Sequence, residues 1–194
     1  MTRKGVFHGV NGDLQVDMMS QRSKFRYAQY EGCQMVELPY AGGRYSMYVV
    51  LPPEGIDINS MIPYISESAF EAAMGMLDSR EVVLTMPKFK LETSLILNDA
   101  LKAMGVETAF TGAADFKGIA ETGSLAISQV KQKCYIDVTE EGTEAAAVTS
   151  IQVRLTSANI NPVARMTVNR PYLFFIQDNQ SGNILFAGKV VDLK

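Results

Sequence analysis

The sequence has no tryptophan, a single histidine and only two cysteines among its 194 residues. Cys33 and Cys134 are too few for a disulfide framework, and they fit neither a zinc site nor a redox CxxC motif. We therefore expect two half-buried free thiols on strands, with no metal and no cofactor. His8 has no nucleophile and acid patterned around it, so it is expected to be an ordinary strand or turn residue. A Ser-His-Asp hydrolase is thereby excluded, and the sequence predicts that the protein is not an enzyme.

Long apolar runs and long basic runs are also missing. No segment approaches the roughly 20 apolar residues of a membrane span. The net charge is -3 and no basic run of five or more residues occurs, so no nucleic-acid partner is expected. The opening stretch MTRKGVFHGVNGD lacks the apolar core of a signal peptide, so this chain is predicted to carry none. The remaining composition, 47% hydrophobic and 20% charged, is typical of a globular domain.

Strand patterns dominate what is present. The predicted strands are 14–19, 24–30, 33–40, 44–52, 81–92 on both sides of Pro87, 124–141, and two apolar strands after Arg170 that a Ser-Gly turn joins. The stretch from Leu173 to Ile176 is continuously apolar, which predicts a strand buried on both faces. Cys134, Ile136 and Val138 are predicted to share one face of their strand. Since strands outnumber helices and do not alternate with them, the fold class is α+β.

Two segments have the period of a helix instead. Residues 66–77 place Phe70, Ala73, Met74 and Leu77 on one helical face, and Ser68 with Glu71 predicts a capping box at the start. Residues 97–105 predict a shorter helix, and Gly105 is expected to end it.

The segment from Thr143 to Arg154 alternates with a period of two. One set, from Thr143 to Val153, is small or apolar throughout, whereas the other set is mostly polar. This pattern is typical of a strand with one buried face. Gly142 comes directly before it and permits a bend. The segment is therefore interpreted either as a strand that forms only in one state of the protein or as an ordinary edge strand after a glycine bulge.

Several motifs together resemble the serpins, the serine protease inhibitors. EEGTEAAAVTS (140–150) is similar to the serpin hinge, and NRPYLFFIQDNQSGNILFAGKVVD (169–192) resembles the C-terminal signature, with its Phe-x-Gly-basic-Val ending. VDMMSQ, VELPYAGGRYSMYVVLP and MPKFKLETSLILNDALKAMGV follow in the family's order and spacing. The resemblance covers residues 1–194 and implies the C-terminal half of one serpin domain, of the kind found in bacteria. It implies sheet B hairpins, parts of sheets A and C with sheet A strands around 86–92 and 127–140, a few short helices and an exposed reactive loop at about 142–162.

The resemblance implies an inhibitor of serine-type endopeptidases that acts as a suicide substrate, with cysteine-type endopeptidases as an additional target class. The protease would cleave the reactive loop, and the loop would insert into sheet A before the acyl-enzyme hydrolyses. The implied hinge is Glu140, Glu141, Gly142, Thr143, Glu144, Ala145, Ala146, Ala147, Val148, Thr149 and Ser150, with Thr143 as the first inward residue. Lys88 and Glu140 are implied to pair near the insertion point. The family's usual histidine before Lys133 is replaced by Gln132, whose amide still donates and accepts hydrogen bonds.

The scissile bond follows from a count along the resemblance. The family's usual distance from Glu140 places it at Thr156–Ser157, while side-chain chemistry leaves Arg154 and Leu155 as alternatives, since they suit trypsin-like and chymotrypsin-like pockets. The implied partners are a target serine protease and the N-terminal half of the same fold, without which this half is expected to be inactive. The family implies an extracellular, cell-surface or periplasmic location. The alternative function is a non-inhibitory serpin-fold binding protein whose loop is cleaved without trapping a protease.

Overall fold

A computed structural model describes residues 2–120, 124–140 and 162–193. Its strands are β1 Thr2–Gly9, β2 Gly12–Tyr30, β3 Cys33–Pro39, β4 Tyr45–Leu51, β5 Asp78–Pro87, β6 Phe89–Ile96, β7 Lys131–Val138, β8 Ala164–Thr167, β9 Tyr172–Asp178 and β10 Ile184–Val190. Its helices are α1 Glu67–Gly75 and α2 Asn98–Ala103, with short 3-10 turns at Ile58–Ser60, Ile62–Tyr64 and Thr108–Phe110. The chain divides into two compact units, Met1–Phe89 with Asp137–Lys194, and Lys90–Ile136.

The larger unit is built on one eight-stranded sheet. Its strand order is β10-β9-β4-β3-β2-β5-β8, with β1 also paired to β2. All neighbours are antiparallel except β5 and β8, which are parallel. The 14–19 and 24–30 segments, predicted as two strands, are both parts of β2, whose first half pairs with β1 and whose second half pairs with β5 and β3. The long β2 therefore joins two segments that the sequence predicted as separate strands.

Strand β9 lies at the centre of the core and is buried on both faces, as its continuous apolar run predicted. On one face Leu173 and Phe175 pack with α1, where the Phe70 ring lies 5.0 Å from the Phe175 ring between centroids. On the other face Tyr172 and Phe174 contact Phe89, at centroid distances of 5.9 and 5.8 Å. A fully buried Phe side chain contributes roughly 1.5–3 kcal/mol, so β9 is a major source of stability.

Helix α1 confirms the predicted apolar face but not the predicted cap. Phe70 and Leu77 are buried, and Ala73 and Met74 pack partly against the same cluster. The capping box of Ser68 with Glu71 is wrong. Ser66 is the N-cap, because its backbone is extended and its Oγ accepts a hydrogen bond from Ala69 N at 3.2 Å. Two serines two residues apart made either one a plausible cap, and the backbone conformation at Ser66 decides between them.

The smaller unit contains residues 90–96 of β6 and 131–136 of β7, two strands that pair in a two-stranded sheet. These are the two predicted sheet A strands, with altered bounds: β6 begins at Phe89 after a break at Lys88, and β7 begins at Lys131, so 124–130 is not strand. Within this unit Leu97 N donates to Val130 O at 2.9 Å, and Asn98 Oδ1 accepts from Val130 N at 2.8 Å. The Asn98 side chain therefore takes the place of a strand partner just before β7. After α2, Gly105 has φ +94, in agreement with its predicted role as a stop.

Tyr172 carries a buried hydroxyl that has no hydrogen-bond partner among the described residues. Burial raises the pKa of this phenol well above its usual value. A buried polar group without a partner costs about 1 kcal/mol or more. We expect Tyr172→Phe to raise the free energy of unfolding by roughly 1 kcal/mol.

Tyr27 provides a matched control, since it is the other large, fully buried tyrosine. Its hydroxyl accepts from Gln34 Nε2 at 2.6 Å and donates to Gln29 Oε1 at 3.1 Å. Tyr27→Phe is expected to lower the free energy of unfolding by about 1 kcal/mol. Denaturant unfolding of both variants measures whether each substitution raises or lowers the free energy of unfolding. An equal loss of stability in Tyr172→Phe and Tyr27→Phe would contradict this account.

Candidate functional site

Lys88 lies at the break between β5 and β6, and its backbone is held on both sides. Its N–H donates to Asp17 O on β2 at 2.8 Å. The residues that flank it, Pro87 and Phe89, are both buried. The chain therefore cannot shift easily at this point, and the long lysine side chain leaves the sheet from a fixed base.

Glu140 follows β7, whose last residue Val138 is buried. Its Oε2 lies 2.5 Å from Lys88 Nζ, and its Oε1 accepts a hydrogen bond from Thr2 Oγ1. The two residues that the family resemblance implied would pair are thus brought together, and Thr2 on β1 is a third residue in the cluster that the sequence did not indicate. Thr2 is 138 residues away in sequence, and no local pattern connects it with Glu140.

The same contacts hold the Glu140 carboxyl in its charged form. Hydrogen bonds from Lys88 and then Thr2 lower the pKa of Glu140 from its ordinary value of 4.5 to about 2. Because the folded-state pKa lies below the unfolded one, the pair stabilises the fold above about pH 4.5. That contribution is lost as the pH falls from about 4.5 through about 2.

We expect the side-chain carboxyl carbon of Glu140 to titrate by NMR with a midpoint near 2. In Lys88→Met the midpoint should move most of the way back toward 4.5, because the largest cause of the shift is removed. Thr2→Val should move it less. A midpoint near 4 in the parent protein would show that the Lys88 contact is not formed in solution.

The other predicted residues within the described part lie elsewhere. Gln132 and Lys133 are exposed on β7 in the smaller unit. His8 lies on β1 directly opposite Asp13, and its Nδ1 is 2.7 Å from Asp13 Oδ1, with both side chains more than half exposed. This is an ordinary surface pair on a hairpin. Cys33 and Cys134 are half-buried free thiols on β3 and β7, as predicted.

Most of the predicted site lies outside the described residues. This holds for the hinge from Glu141 to Ser150 and for the reactive-bond candidates Arg154, Leu155, Thr156 and Ser157. Among the described residues no group of His, Cys, Asp or Glu could hold a metal ion. No helix in the described ranges is long and apolar enough to cross a membrane.

The described residues at the two ends of 141–161 fix the gap that this segment must bridge. Glu140 is tied to Lys88, one residue beyond the end of β5. The chain is described again from Pro162 and enters β8 at Ala164, which lies beside Val82 on β5. Lys88 and Val82 are six residues apart along the line of β5, a distance of about 20 Å. A chain of 21 residues can extend to roughly 70 Å, so the segment is far longer than its anchors require.

The family model for Serpin (serine protease inhibitor) matches residues 1–193. The chain belongs to the serpin family. Intracellular coagulation inhibitor 2 of Tachypleus tridentatus is 39% identical over 181 residues, which cover 92% of this chain and 44% of that protein. This serpin chain spans about half the length of the curated relatives it matches.

Solved serpin structures have the same fold. The native state of Tengpin, a thermophilic serpin, matches with a TM-score of 0.83 and 32% identity over 99% of this chain and 50% of that chain. Thyroxine-binding globulin in complex with thyroxine matches with a TM-score of 0.83 and 27% identity over 99% of this chain and 50% of its own. The expected serpin fold is therefore confirmed, with half of a solved serpin chain represented here.

Proposed function

We propose that the complete protein inhibits serine-type endopeptidases as a suicide substrate, with cysteine-type endopeptidases as a second target class. The observation that carries the proposal is the length of the segment 141–161. Its 21 residues can extend to roughly 70 Å, whereas Lys88, which Glu140 contacts, and Val82, which pairs with Ala164, lie only about 20 Å apart along the line of β5. Such slack allows a protease to take the segment as an extended substrate. The same slack allows the segment to move after it is cut.

The proposed reaction uses the protease's own nucleophile. The protease serine attacks the carbonyl of Thr156, the bond to Ser157 breaks, and the new amine leaves with the proton that the protease histidine delivers. The product is an ester between the protease serine and Thr156, and water would normally hydrolyse it. In this proposal the freed segment joins the β6–β7 sheet as a strand first, and the attached protease is distorted before deacylation. The chain itself is not an enzyme in this scheme.

The β6–β7 sheet offers a place for a new strand. Within the described residues β7 pairs only with β6. In this proposal the segment adds to this sheet as a further strand by backbone hydrogen bonding. Lys88 and Thr2 hold Glu140 at the end of β7, so we propose that bending begins just after it, at Gly142. The small side chains from Thr143 onward would then enter without clashes.

The proposal extends to the whole protein rather than to this chain alone. Its relatives are about twice as long, and we propose that an N-terminal half completes the sheet and that this half alone is inactive. We propose an extracellular, cell-surface or periplasmic location. Since one relative is named as an intracellular inhibitor, fractionation of the producing cells, followed by immunoblotting, tests the location.

A second function is a binding protein whose loop is cut without trapping. The similarity to thyroxine-binding globulin, solved with thyroxine, supports it. Incubating the complete protein with trypsin, chymotrypsin, elastase and papain separates the two. An inhibitor yields a complex that survives boiling in SDS, whereas a non-inhibitory protein yields only cleaved chain and active protease. Protease blocked beforehand at its nucleophile is the control and should give neither product.

A further inference from the structure

One exposed face of the larger sheet carries four basic side chains from two of its strands. This basic face consists of Arg22, Lys24 and Arg26 on β2 and Arg165 on β8, with β5 between the two strands. Side chains two residues apart on a strand share a face. Arg22 and Arg165 are both paired in register with Val83, so their Cα atoms lie about 10 Å apart. The spacing of these cations is fixed by the sheet.

Two carboxylates neutralise only part of the basic face. Glu81 bonds Arg22 and Glu37 bonds Arg26, each at 2.7 Å. Lys24 lies opposite Glu81 but makes no salt bridge with it, and Arg165 has no ion-pair partner among the described residues. Four cations and two anions leave an excess of two positive charges. On a chain whose net charge is -3, this face stands out from the rest of the protein.

The basic face lies next to the proposed reactive segment along the chain. Residues 141–161 lead through Pro162 into β8, and Arg165 is the second residue of that strand. Arg22 and Lys24 lie two strands away on the same face. A protease that holds the end of the segment near β8 would therefore have its own surface close to these cations.

We propose that the basic face is a secondary docking surface for the acidic surface of a target protease. The inference rests on the proposed function. Fixed charges of one sign steer an oppositely charged partner and raise its association rate, without altering the chemistry at the reactive bond. A protein partner fits better than a sulfated polymer. Arg22 and Arg26 already hold carboxylates, and the two remaining cations match a few carboxylates rather than a dense row of sulfates.

The test uses two trypsins that share a specificity pocket but carry opposite surface charge, anionic and cationic trypsin. Both are made inactive by replacing the active-site serine with alanine, and the complete protein carries Thr156→Arg so that both recognise the segment. The measured quantity is the association rate by surface plasmon resonance. We expect Lys24→Glu with Arg165→Glu to slow anionic trypsin about tenfold at low salt. At about 500 mM salt, where charges are screened, the effect should fall below about twofold.

Lys102→Glu with Lys117→Glu is the matched control, because it makes the same change in net charge at exposed positions outside the larger sheet. The control double variant should lower the association rate of anionic trypsin by less than about twofold, whereas Lys24→Glu with Arg165→Glu should lower it about tenfold. Equal effects of the two double variants, or equal slowing of cationic trypsin, would overturn the inference. So would loss of heparin-agarose binding in the Lys24/Arg165 variant with unchanged trypsin association, which would assign the face to a polyanion. If active proteases are still trapped in these cases, the proposed function stands while this inference fails.

Discussion

Thr143→Arg is expected to convert the complete protein from an inhibitor into a substrate. Thr143 is the first residue of the small or apolar set that would be buried when the segment joins the sheet. Burying an unpaired guanidinium costs about 3 kcal/mol or more, which would slow insertion by about 100-fold. Hydrolysis of the acyl-enzyme would then be faster than insertion. The protease would be released active and the chain would be cut.

Glu144→Arg is the control for this change. It introduces the same side chain one residue later, in the set that faces the other side of the strand. We expect it to trap protease within about threefold of the parent, because an exposed charge costs little. The readout is the number of inhibitor molecules consumed per protease inactivated. If Thr143→Arg traps as efficiently as Glu144→Arg, the inserted-strand interpretation of residues 143–153 is wrong.

Gly188→Ala is expected to destabilise the fold by about 2 kcal/mol. Gly188 lies on β10 directly opposite Phe174 on β9. A Cβ at this position would lie 2.6 Å from two atoms of the Phe174 ring. That ring is buried and packs against Phe89, 5.8 Å away between centroids, so it has little room to move. The glycine of the Phe-x-Gly-basic-Val signature is therefore explained by a ring that occupies the space of its missing side chain.

Gly75→Ala makes the same substitution where there is space. Gly75 is the last residue of α1, and an added Cβ would meet nothing within 4 Å. Because alanine has a higher helix propensity than glycine, we expect the free energy of unfolding to rise by about 0.5–1 kcal/mol. Thermal unfolding of the two variants should shift in opposite directions. A neutral result at Gly188 would mean that the β9–β10 packing described here is not that of the native protein.

Local pattern was enough to predict much of the fold. The apolar run from Leu173 to Ile176 predicted the central strand, because only a strand buried on both faces tolerates such a run. The strand pattern on both sides of Pro87 predicted much of β5 and β6, and the helical spacing of Phe70, Ala73 and Met74 predicted the buried side of α1. In each case the information lies within about ten residues of sequence.

What could not be predicted depends on contacts between distant strands. Residues 14–19 and 24–30 form one continuous strand, β2, because β1 and β5 pair with it along its length. The Thr2 contact to Glu140 and the grouping of Arg165 with Arg22 and Lys24 arise from strand order and register. A single-residue change of register would move these side chains to the opposite face. The pairing of Lys88 with Glu140 was anticipated only through the family resemblance.

The intact mass of the product formed with an active serine protease tests the central claim most directly. If the protein is a suicide substrate that is cut at Thr156, a covalent species should appear. Its mass should be that of the protease plus the complete protein, less a C-terminal peptide that begins at Ser157, and the free peptide should be recovered beside it. A mixture of intact protease and cleaved protein with no joined species would contradict trapping. A peptide that begins before Leu155, or at Ala158 or later, would contradict the placement of the reactive bond.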